Sequence, residues 1–88
     1  MADPKISYIE PSTVTQNTAV TIKVKGSNFN ELSFVFIDGA NPPTKYVDST
    51  EVTAELSRKD TSTAGKRSVK VHNANDGTLS NEVTLTIV

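Results

Sequence analysis

Gly65-Lys-Arg-Ser-Val-Lys-Val-His-Asn73, then Ala74-Asn-Asp-Gly-Thr-Leu-Ser-Asn81, then Glu82-Val-Thr-Leu-Thr-Ile-Val88: this C-terminal stretch decides the fold. Two alternating runs flank a turn rich in Asn, Asp and Gly, the pattern of a β-hairpin. Alternation puts Val69 and Val71 on one face of the first arm and Val83, Leu85 and Ile87 on one face of the second. Gly77 supplies the positive φ that the turn needs. Each arm then presents an apolar face that other strands must cover.

The upstream chain carries the cover. Ile6-Ser-Tyr-Ile9 reads as a short strand ended by Pro11, which marks the point where the chain leaves one sheet for the other. Val20, Ile22 and Val24 alternate with Thr21, Lys23 and Lys25 until Gly26-Ser-Asn-Phe29 stops the run. Gly26 can take a backbone shape closed to other residues, and Phe29 brings an aromatic back into the core. Leu32 to Ile37 is apolar on both faces and ends at Asp38-Gly39 and Pro42-Pro43. Thr44 to Val47 is a short strand. Thr50 to Leu56 places Val52, Ala54 and Leu56 inward and Glu51, Thr53 and Glu55 outward. Arg58 to Ala64 is polar and is expected to hold one helical turn. Roughly seven short strands at this spacing predict an all-β antiparallel sandwich.

At 88 residues the chain is one small domain without cysteine, so no disulfide or thiolate metal site supports it. Its stability should sit near the low end of the usual range, about 5 kcal/mol. Net charge is −1 and both signs are interspersed, so no strong field for nucleic acid or an anionic membrane is expected. No apolar run has transmembrane length. Met1-Ala2-Asp3-Pro4 is polar and reads as a tail (residues 1–4) before a domain spanning 5–88. A start of this kind fits a domain cut from a longer protein, and also fits a complete small protein.

Read together, these residues resemble the IPT/TIG family of immunoglobulin-like domains. The matching elements are Ile6-x-x-Ile9-x-Pro11, Ile22-x-Val24-x-Gly26-Ser-Asn28-Phe29, and Val35-x-Ile37-Asp-Gly39. They continue through Ser49-Thr50-Glu51-Val52 and Gly65-x-x-x-Val69-x-Val71-x-Asn73 to Asp76-Gly77-x-x-Ser80-Asn81-x-Val83-x-Leu85-x-Ile87. Pro11, Gly26, Asn28, Phe29, Gly39, Gly65, Asn73, Gly77 and Asn81 are the structural signature. Two departures stand out. Gln16-Asn17-Thr18-Ala19 replaces a frequent glycine pair, and Arg67 stands where many members carry an aromatic anchor. The resemblance implies an immunoglobulin-like antiparallel sandwich of the early-set type. It also implies a non-catalytic module that binds or spaces, in a cell-surface, secreted or virion-appendage protein. An extracellular or cell-surface place follows from the same resemblance, with virion and cytoplasm left open. A carbohydrate-binding accessory role beside a glycan-active enzyme is the alternative. A dimerising or DNA-contacting role in a transcription factor is a further one, which the acidic balance disfavours.

The residues offer little chemistry. The single histidine, His72, alternates onto the face opposite Val69 and Val71, and no nucleophile and base converge on it. Asp38, Asp48, Asp60 and Asp76 are scattered through turns, whereas a calcium loop bunches its oxygens. Lys23, Lys25, Lys66, Arg67 and Lys70 are spread and balanced by Glu51, Glu55 and Glu82, against the clustering that phosphate binding needs. Asn73 and Asn81 are expected to cap local backbone groups. No catalytic residue, metal, cofactor, nucleic-acid partner or membrane insertion is expected. The feature to follow is the third strand. If Val35 and Ile37 face the core, then Phe34 and Phe36 face outward beside Lys70, His72, Thr84 and Thr86, with Tyr46 on the neighbouring strand. Such a strip suits a neighbouring domain, another protein or a glycan. A register shift of one residue would bury both phenylalanines instead.

Overall fold

The chain was studied as a computed structural model, which describes residues 3–75 and 77–88. Asp76, expected in the hairpin turn, lies outside the described residues. The strands are β1 (Lys5–Glu10), β2 (Thr13–Val14), β3 (Val20–Ser27), β4 (Ser33–Ile37), β5 (Thr44–Asp48), β6 (Glu51–Leu56), β7 (Gly65–Asn73), β8 (Thr78–Leu79) and β9 (Val83–Ile87). They form two sheets. One has the order β1-β3-β6-β5; the other has the order β2-β9-β7-β4, with β8 also paired to β7. All pairings are antiparallel except β2 with β9. The molecule is 19 Å thick in two directions and 38 Å long, as two stacked sheets about 10 Å apart require.

Alternation places the core. Val20, Ile22 and Val24 of β3 stand opposite Leu56, Ala54 and Val52 of β6. On the other sheet, Val35 pairs with Val71 and Ile37 with Val69. Ile22, Val24, Val35, Val52, Val69, Val71 and Leu85 are fully buried between the layers. The C-terminal hairpin forms as the sequence predicts, with Gly77 at φ 74 in its turn. Pro11 lies between β1 in one sheet and β2 in the other, so the chain does change sheets there.

Three expectations need correction. Gly26 does not adopt a positive φ. It is required for space: a Cβ there would lie 1.8 Å from the Lys5 carbonyl oxygen, where β1 presses onto β3. Residues 58–63 form turns and no helix. Asp60 Oδ2 accepts from Ser57 N, and Thr61 Oγ1 reaches back to both Thr18 N and Thr18 O, which commits the loop to an inward staple. The amides of Asn73 and Asn81 cap backbone groups, but distant ones. Asn81 Nδ2 donates to Ile6 O at 3.0 Å, and Ile6 N donates to Asn81 Oδ1 at 2.8 Å. Asn73, 1% exposed, donates to Asn28 O at 3.0 Å and accepts from Ser33 Oγ at 2.5 Å.

The outer edge of β4 is closed by its surroundings. Ser33 N donates to Asn30 O and Val35 N to Thr44 Oγ1. Ile37 and Ala40 exchange both of their backbone bonds. In the orientation that satisfies its neighbours, the Asn41 amide donates to Val35 O at 3.0 Å. An edge so occupied cannot template another strand.

Candidate functional site

The candidate site is the outer face of the five-stranded sheet. Residues directly opposite each other in antiparallel strands put their side chains on the same face. Val35 and Ile37 are buried, so Phe34 and Phe36 point outward, both half-buried against the sheet. Phe34 stands opposite His72, and His72 stands opposite Leu79 on the next strand. Phe34, His72 and Leu79 therefore form one row across three strands, about 10 Å from end to end at the usual strand spacing. Phe36 stands opposite Lys70 in the next row. Its ring lies 5.9 Å from that of His72, tilted by 51°. That contact holds the aromatic group in place, since tilted pairs at this distance are favourable.

Polar groups border the apolar row. Lys70 Nζ faces Glu82 Oε2 at 3.8 Å, and Ser68 stands opposite Thr84. Asp38 accepts from Ser68 N at 2.7 Å and fixes the turn after β4. The arrangement is a shallow, nearly flat surface with an apolar centre and a charged or hydroxylated margin.

The sequence expectation missed Leu79, which is 57% exposed and completes the row. It sits among turn-forming residues, so its place became visible only when β8 folded back along β7. Leu32, also exposed, stands just before β4 and adds apolar surface at the same end.

Tyr46 does not belong to this face. β5 pairs with β6 in the opposite sheet, and Tyr46 stands opposite the buried Val52. Its side chain is thus on the inner side of that sheet at its rim, 36% exposed. Pro42-Pro43 are the cause: the chain crosses between layers there, and Pro43 O already accepts from Glu55 N of β6.

The other face of the sandwich carries Lys25 beside the exposed Tyr8 of β1. Lys25 is ion-paired with Glu51, and this hydrogen bond raises the lysine above its ordinary value. Asp48 caps the β5–β6 turn through Thr50 Oγ1 (2.7 Å) and Thr50 N (2.8 Å), and these bonds lower its carboxyl below the usual range. Among the described residues, no group of three His, Asp or Glu side chains is placed to hold a metal ion. Among the described residues no helix is long and apolar enough to cross a membrane, which says nothing of strand-built barrels.

Among known families, the IPT/TIG domain matches residues 4–87 of the chain. No curated protein matches it.

Proposed function

Because the chain belongs to the IPT/TIG family, whose members are immunoglobulin-like modules often used for binding or spacing and generally non-catalytic, we propose that it is a binding module whose contact surface is centred on Phe34, Phe36, His72 and Leu79. The observation that carries this reading is the Phe34–His72–Leu79 row. Three side chains with apolar bodies lie side by side, with Phe36 in the next row, on a face bordered by polar groups. Burying such a row against a partner releases apolar surface from water, at roughly 25 cal/mol per Å². Aromatic anchors inside a polar margin are the usual anatomy of a protein contact. The partner is a neighbouring domain of the same chain or another protein, at the cell surface or outside the cell.

The test compares capture of surface or extracellular protein by the wild-type domain with capture by a Phe34→Ser/Phe36→Ser/Leu79→Ser variant. A Lys23→Ser variant on the opposite sheet serves as control. Capture lost in the first and kept in the second supports the reading; capture unchanged in both rejects it.

A glycan is the second reading. Two half-buried, outward-facing aromatic rings bordered by the Ser68 and Thr84 hydroxyls and the Lys70–Glu82 pair suit a sugar ring. Chemical shifts of Phe34 and Phe36 should then move on titration with one member of a sugar panel. Silence across the panel would reject it.

A further inference from the structure

At the end of the sandwich where β7 begins, the two sheets leave a cavity of about 210 Å³. Its floor is apolar: Ile37, Leu56, Leu85 and Ile87. Asp38, Asp60 and Arg67 stand around it. The register explains the gap. Arg67 stands opposite Leu85, which is fully buried, so Arg67 occupies a core-facing position in line with Val69 and Val71. A guanidinium left in an apolar gap without partners would cost several kcal/mol or more. It turns outward instead. Nη2 donates to Thr63 O at 2.7 Å, Nη1 donates to Lys66 O at 3.1 Å, and Nε lies 3.8 Å from Asp38 Oδ2. The cavity lies beside this side chain, which forms part of its wall.

An aliphatic-lined cavity of about 150 Å³ is enough to stay dry and accept benzene. The present one is larger, with an aliphatic floor and charged groups at its rim, so it has room for a six-membered ring. Its charged groups decide what the ring should carry. Asp38 pairs with the Arg67 guanidinium and Asp60, which also accepts from Ser57 N, adds a second carboxylate to the lining, so the rim carries one more anionic than cationic group and favours a cation over an anion. We propose that this cavity binds a single-ring apolar group bearing a nearby ammonium. The ring would rest on Leu56 and Leu85, and the ammonium would lie toward Asp38 and Asp60. A free arylalkylamine and the N-terminal phenylalanine of a peptide share this chemistry. The site lies between the sheets, so it is independent of the outer face described above.

The experiment titrates the domain with phenethylamine, 3-phenylpropanol and 3-phenylpropionate, followed by methyl NMR of Ile37, Leu56 and Leu85. Saturable methyl shifts are expected, with the amine binding about three-fold tighter than the alcohol and about ten-fold tighter than the carboxylate. Arg67→Phe fills the cavity and should abolish all three responses while raising the Tm. Asp60→Asn should bring the amine to the affinity of the alcohol and leave the alcohol unchanged, which keeps the test decisive if Arg67→Phe does not fold. A Phe-Gly-Gly amide that binds as tightly as phenethylamine assigns the site to a peptide end. Binding of the amine alone assigns it to a small molecule. No methyl shift with any ligand, or a carboxylate that binds as well as the amine, overturns the proposal.

Discussion

Replacing Asn81 with Ala should remove much of the stability of this domain. The Asn81 amide bonds both the N–H and the C=O of Ile6, at 2.8 Å and 3.0 Å, and so substitutes for a missing neighbour strand along β1. Ile6 itself is buried at 3% exposure, and its main chain has little water to turn to. Two hydrogen bonds contribute about 1 kcal/mol each, and stranding the partly buried donor adds a further penalty of about 1 kcal/mol. The loss is therefore about 2–3 kcal/mol, close to half of a total near 5 kcal/mol. For a domain of this size that lowers the Tm by roughly 10–20 °C. Thermal unfolding followed by circular dichroism measures the shift, and urea unfolding should show an unchanged m-value. Amide exchange supplies the local reading, since Ile6 N–H should lose protection ahead of the β7 amides. A Tm within about 3 °C of wild type, or an Ile6 amide as protected as before, would refute the reasoning.

Gly26→Ala drives a Cβ to 1.8 Å from the Lys5 carbonyl oxygen, a backbone atom that cannot rotate away. Urea unfolding should show a loss of about 3 kcal/mol or more; a loss below about 1 kcal/mol would mean that β1 can yield. Thr50→Val removes the hydroxyl bond to Asp48, so the Asp48 carboxyl should rise toward its ordinary value in a carbon-detected titration. In sign, the lowered pKa stabilises the fold above the ordinary carboxylate value near 3.8 and loses that effect as pH falls through the folded value. Wild type should accordingly lose more stability than the variant on acidification through this range, and an unmoved titration would count against the capping account. Thr44→Val takes the acceptor from Val35 N and opens one bond on the β4 edge. It should cost about 1 kcal/mol and raise light scattering on storage; scattering equal to wild type would show that this bond does not guard the edge.

Much of the fold was legible because its signal is local. Val20-x-Ile22-x-Val24, Val69-x-Val71 and Val83-x-Leu85-x-Ile87 each alternate within one strand, and each buries the side that alternation selects. Phe34 and Phe36 follow from the same rule, because burying Val35 leaves them no other direction. What alternation cannot carry is partnership across the chain. Asn81 bonds a residue 75 positions away and Asn73 one 45 positions away, so neither partner is visible nearby in the sequence. Tyr46 was misplaced for a related reason. Consecutive strands usually neighbour one another, but Pro42-Pro43 send β5 across to the other sheet. Gly26 was legible as a special position, while its reason lay in the approach of β1, which only the assembled sheet reveals.

The guarded rim of β4 decides how its aromatics can be used. With the main chain already occupied, a visitor finds side chains to read and almost no backbone to zip onto. Recognition at this surface, as proposed, would then be written in the choice of rings and aliphatic groups alone. Those letters can be exchanged one at a time without opening the β4 edge to another strand.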